Sequence, residues 1–105
     1  MSRILEGFNK TDHFMYRQWD RNITDKSLSK ILKRLDKSKK KTLIIVSRKI
    51  LKKIGVNCKK ELFIKLDKST LITCFYSDMQ TYLGTKREQN YLIINNILYE
   101  KNSTN

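Results

Sequence analysis

An α+β fold, with two N-terminal helices packed on a three- to four-stranded, mainly antiparallel sheet, is predicted by three features of the chain. Leu28, Ile31, Leu32 and Leu35 recur at i, i+3, i+4 and i+7, the apolar stripe of an amphipathic helix. TLIIVS (42–47), ELFIKL (61–66) and TLITCFY (70–76) are short runs rich in β-branched and aromatic residues, which read as strands. A length of 105 residues suits one domain with a single core, placed over about 11–99, with 100–105 as a flexible tail.

Residues 1–9 read as a short lead-in, with Gly7 loosening the backbone and Phe8 packing onto the domain. Thr11 or Asp12 caps a first helix that runs to about Arg21 and stops at Asn22, a residue that tolerates the left-handed backbone of a helix end. Thr24 caps the second helix, whose Lys30, Lys33, Arg34 and Lys37 face water. The basic run 37–41 is a loop into the strand 42–47, and 48–55 forms one or two helical turns closed by Gly55, with Ile50, Leu51 and Ile54 inward. Strands 61–66 and 70–76 form a hairpin around Asp67-Lys68-Ser69. A turn of two or four residues groups Leu71, Thr73 and Phe75 with Leu62, Ile64 and Leu66; a three-residue turn groups Ile72, Cys74 and Tyr76 with them instead. After Ser77 the pattern weakens, and 90–99 reads either as a fourth strand or as a closing helix.

Charge is the strongest compositional signal. Between Lys26 and Lys60 there are 14 Lys or Arg against the single acid Asp36, so the whole net charge of +13 belongs to one third of the chain. The remainder holds nine residues of each sign. Such a concentrated field favours a polyanion, nucleic acid before any anionic membrane, because each neutralised phosphate releases counterions. Lys39, Lys40, Lys41, Arg48, Lys49, Lys52 and Lys53 form its two densest clusters and are the candidate phosphate contacts, with Arg21. Cys58 and Cys74 have neither CxxC spacing nor a histidine cluster beside them, so no metal site, cofactor or disulfide framework is expected. There is no run of 18 apolar residues and no usual signal peptide, and a cytoplasmic protein without a membrane span is expected.

The lone histidine of the chain opens HFMYRQWDRNIT, where His13, Arg17 and Arg21 fall at i, i+4 and i+8 of the first helix. An ordinary solvated helix face is the plain reading. An imidazole able to accept a proton near neutrality, next to guanidiniums that do not stabilise one another, is also what cleavage of RNA without metal requires. Tyr16 and Trp19 are able to stack on bases, although aromatics on a short first helix more often serve packing.

HFMYRQWDRNITDKSLSKIL resembles the opening of a family of small bacterial RelE-like domains whose helix reads His-Ala-x-x-Arg-Met-x-x-Arg-Gly-Ile-Ser before a second amphipathic helix. His13, Arg17, Arg21, Ile23 and Thr24 match; Phe14, Gln18 and Asn22 depart from the pattern. ITCFY (72–76) is similar to the family's Val-Thr-Ala-Tyr-like strand, so the resemblance spans roughly 11–78. It implies kinship with the barnase, EndoU, colicin and RelE group of ribonucleases, many of them toxins. On that basis His13 is the expected general base or acid, Arg17 the phosphate clamp, and Thr73 or Tyr76 a hydrogen-bonding group. The resemblance implies an endoribonuclease acting on tRNA or mRNA, with an acidic antitoxin or immunity protein as a possible partner. The alternative is a non-catalytic nucleic-acid-binding regulator of phage or mobile-element origin using the same basic patch.

Overall fold

The computed structural model of the chain describes residues 1–35, 41–85 and 91–94. In chain order the elements are β1 (Ile4–Leu5), β2 (Phe8–Lys10), α1 (Asp12–Asp20), α2 (Asp25–Leu32), β3 (Lys41–Val46), α3 (Arg48–Lys53), β4 (Glu61–Asp67), β5 (Thr70–Ser77), α4 (Met79–Thr85) and β6 (Tyr91–Ile94). All strands join one sheet in the order β1-β2-β5-β4-β3-β6.

This corrects the expected architecture of two helices on a three- to four-stranded, mainly antiparallel sheet. The sheet has six strands and is mixed, since β2 pairs parallel with β5 and β6 pairs parallel with β3. The four described helices include α4, in the stretch after Ser77 where the sequence pattern weakens. Residues 1–9 are not a lead-in: β1 and β2 form a hairpin through Glu6 (φ 53°) and Gly7 (φ 82°), two positive-φ residues of the kind a tight hairpin turn demands. Strands of two and three residues carry no readable alternation, and Glu is not a signature residue for such a turn. Of 90–99, Tyr91–Ile94 is a strand and 95–99 lies outside the described residues, as do 37–40 of the basic loop and the tail 100–105.

The local elements follow from their caps. The hydroxyls of Thr11, Thr24 and Ser47 accept from the backbone N–H of Phe14, Ser27 and Ile50 and start α1, α2 and α3. Asn22 (φ 56°) follows α1, and Gly55 (φ 91°) follows α3. Helices α1, α2 and α3 cover one sheet face, where Phe14, Ile23, Leu28, Ile31, Leu32, Ile50 and Leu51 pack on Phe8, Ile44, Val46, Leu62 and Ile64. On the other face Leu43, Ile45 and Phe63 pack with Phe75, Met79 and Tyr82, and the Phe63 and Phe75 rings stack at 5.3 Å. β3 is buried on both sides and reads as a continuous apolar run for that reason.

The register of β5 combines both alternatives left open by the sequence. Asp67 pairs with Thr70 around a two-residue turn, which places Leu71 opposite Leu66 on the helix-covered face. A bulge at Ile72 then shifts the alternation, so Cys74 and Tyr76 rather than Thr73 and Phe75 face the helices, opposite Ile64 and Leu62. The bulge has a partner: Thr11 N–H donates to Leu71 O (3.1 Å) and Thr11 Oγ1 donates to Ile72 O (2.7 Å).

Beneath α1 and α2 a buried ammonium meets a partly exposed carboxylate. Phe8 and Lys10, two residues apart on β2, both point into the helical layer, and Lys10 has no exposed side-chain surface. Its Nζ meets Asp25 Oδ1 at 2.6 Å; Gln18 Nε2 donates to the same oxygen at 2.7 Å, and Ser2 N–H donates to Asp25 Oδ2 at 2.7 Å. Burial alone raises the Asp25 carboxyl, but these donors outweigh it and hold the group at about 2.

Asp25→Ala leaves the Lys10 ammonium buried and unpaired, and chemical denaturation is expected to show a loss of about 3–5 kcal/mol. A Lys10→Met/Asp25→Asn double variant is expected to recover more than half of it. Because the folded carboxyl lies below its unfolded value, its stabilisation is present above the ordinary carboxylate pKa and is lost as pH falls from about 4 to about 2, a slope that Asp25→Asn removes. Thr11→Ala removes a cap and the bond to the bulge, with an expected cost of about 1–2 kcal/mol in the same measurement.

Candidate nucleic-acid interface

The site is built where α1 lies along β5. Thr11 pins the start of α1 at Leu71 and Ile72, and Phe14 and Gln18 bury one stripe of the helix. Phe14, Gln18 and Arg21 fall at i, i+4 and i+7, so Arg21 continues this inward stripe. Successive four-residue steps overshoot a turn by about 40°. The row His13, Arg17, Arg21 therefore winds from solvent toward the sheet: His13 is exposed, and Arg17 and Arg21 are half-buried. His13 and Arg21 are separated by about 12 Å along the helix axis.

The cations over the second half of β5 act on its side chains. Burial pushes the Cys74 thiol up to about 12, against an opposing pull from Arg21, Arg17 and Lys10. Burial likewise pushes the half-buried Tyr76 phenol up to about 12; the thiols of Cys58 and Cys74 add to the rise, and Arg21 opposes it. Tyr76 thus keeps its proton at neutral pH and can donate a hydrogen bond. Cys58, raised by burial, donates to Lys60 O at 3.2 Å and lies near Arg48 and Glu61. Arg48 Nε pairs with Glu61 Oε2 at 3.1 Å, and Arg21 Nη1 pairs with Asp20 Oδ2 at 2.5 Å. Both guanidiniums are part-neutralised.

The expected site residues thus separate into groups. Arg17 and Arg21 both act on Cys74, and Arg21 alone of the two acts on Tyr76. Thr73, whose neighbour across the ladder is Lys65, is on the opposite sheet face because of the bulge. His13 belongs to the outer flank of α1, at the end where Thr11 binds Ile72. Lys41 starts β3 opposite Asp67, at the end of the sheet away from Val46, Leu62 and Tyr76. Arg48, Lys49, Lys52 and Lys53 are exposed on α3, and Lys26, Lys30 and Lys33 are exposed on or beside α2. Ser27 Oγ donates to Ile54 O at 3.0 Å and fastens α2 to the end of α3, so these lysines belong to one helical layer. Lys39 and Lys40 lie outside the described residues.

Cys58 and Cys74 near the arginines, and the Thr11 anchor, were not legible as parts of a site. Nor was the inward position of Arg21, which follows only once Phe14 and Gln18 are seen to be buried. No cluster of three or more His, Cys, Asp or Glu able to hold a metal occurs among the described residues, and no helix there is long and apolar enough to cross a membrane. A scan against protein-family models and searches of curated proteins and of solved structures return no match.

The burial of Cys74 predicts its thiol chemistry. In native protein at pH 8, a thiol reagent such as dithionitrobenzoate is expected to label Cys58 slowly and Cys74 not at all, with both labelled in denaturant.

Proposed function

We propose that the chain binds RNA across its helical face and is a metal-independent endoribonuclease of toxin type, acting on tRNA or mRNA. The observation supporting this reading is the packing of α1 along β5, through which Arg17 and Arg21 act on the same stretch of strand as Tyr76. In this reading a phosphodiester rests against Arg17 and Arg21, which offset the charge developing on its oxygens. His13, one turn before Arg17, takes the proton of the adjacent ribose 2′-hydroxyl. The 2′-oxygen bonds to phosphorus and the bond from phosphorus to the 5′-oxygen breaks, with water protonating the leaving oxygen. The products are a 2′,3′-cyclic phosphate and a 5′-hydroxyl. Tyr76 donates a hydrogen bond to the phosphate, whereas Thr73, on the other sheet face, takes no part. The exposed lysines of α2 and α3 hold the flanking backbone, and an acidic antitoxin or immunity protein is the partner that such a surface anticipates.

A second reading, a non-catalytic nucleic-acid-binding regulator, is favoured by one observation: His13 sits on the solvent flank of α1 and does not converge with Arg21 and Tyr76.

Purified protein is expected to cut tRNA in EDTA and leave cyclic-phosphate ends, and His13→Ala to slow cutting about a hundredfold or more while binding stays within about twofold. RNA that remains intact, with affinity falling linearly in log salt, would establish the regulator instead. Lys52→Ala and Lys53→Ala are each expected to reduce the salt slope by about 1 wherever the lysine contacts a phosphate.

A further inference from the structure

Tyr16 and Trp19 do not serve the packing expected of aromatics on a short first helix. They stand on the outer side of α1, 56% and 67% exposed, with ring centroids 6.2 Å apart and planes tilted by 41°. Beside Trp19 a cleft of about 370 Å³ opens between the end of α1, the start of α2 and the N-terminus. That volume is within the range of small-ligand clefts, about 300–1,000 Å³. Met1 and Ile23 supply apolar wall and Asn22 and Asp25 polar wall.

The chemistry of this cleft differs from that of the cationic face. Asp25 puts a carboxylate in its wall, and Asp20 is a neighbour of Trp19 in the chain, so a phosphate is not its natural occupant. The Gln18 amide, also in the wall, commits Nε2 to Ile23 O and Asp25 Oδ1, while Oε1 is buried and unpartnered among the described groups. The wall open to solvent is mainly apolar, and both Asp25 oxygens are already bonded within the fold. An uncharged flat ring suits such a wall, and exposed Lys26 follows Asp25 in the chain.

We infer that Trp19, with Tyr16 beside it, is a stacking platform for an unpaired nucleobase, and that the cleft makes the domain select single-stranded over duplex RNA. The inference rests on the RNA-binding reading and names its substrate class. Stacking on an aromatic ring needs a base free of its helix, whereas lysine contacts to phosphate do not.

Trp19 is the only tryptophan in the chain, so its fluorescence reports the platform directly. The test titrates the full chain with three fluorescein-labelled oligonucleotides of equal length: single-stranded RNA, duplex RNA and an abasic strand. Binding is read by anisotropy and stacking by Trp19 emission. Trp19 emission is expected to be quenched by the single strand alone. Trp19→Ala is expected to weaken single-strand binding about tenfold, Trp19→Phe to restore most of it, and the salt slope to stay unchanged in both. Binding of all three RNAs with unchanged emission, or equal affinity for Trp19→Ala, overturns the platform while leaving RNA binding standing. Absence of any anisotropy change at low salt overturns the RNA-binding reading and the platform with it.

Discussion

One ammonium group ties the helical layer to the sheet. Lys10 enters the core because it stands two residues from Phe8 on the same strand face, and a charge held there without a partner is not tolerated. Asp25 meets it from the first turn of α2, where a carboxylate is also favoured by the helix dipole. Gln18 of α1 and the backbone of Ser2 complete the shell. Four segments that are separate in sequence converge on one carboxylate, and the orientation of α1, from which the site is built, follows from that convergence.

A second constraint sets the character of the site. The bulge at Ile72 turns over the faces of β5 partway along the strand, so one strand contributes Leu71 to the helical core and then Cys74 and Tyr76 to the same face. Without it, Thr73 would sit under the arginines and Tyr76 would face the aromatic cluster of Phe63 and Phe75. Thr11 holds the bulge and starts α1 with one hydroxyl, coupling the helix that carries the cations to the strand that carries the phenol.

Much of the local structure was legible. Caps at Thr11 and Thr24, the stripe of α2, the short helix closed by Gly55 and the hairpin all have chemical signals within a few residues of the element they specify. The sheet was read too small because β1, β2 and β6 are short and owe their existence to neighbours distant in sequence. β2 is a strand through its parallel pairing with β5, and β6 through its pairing with β3. For the site, periodicity brought His13, Arg17 and Arg21 to one broad side of a helix. It did not show which of the three leans on the sheet until the buried stripe of Phe14 and Gln18 was located.

Composition and spacing alone determined that this is a strongly cationic α+β chain whose positive charge is concentrated in one third of its length, because charge and helical period are properties of near neighbours. The tertiary structure decided which cations share a surface with Tyr76, that Thr73 faces away, and that Tyr16 and Trp19 stand in solvent. Each of these outcomes depends on pairing register and helix docking, which are set by contacts between residues far apart in the chain. A one-residue bulge is enough to exchange the faces taken by Thr73 and Tyr76.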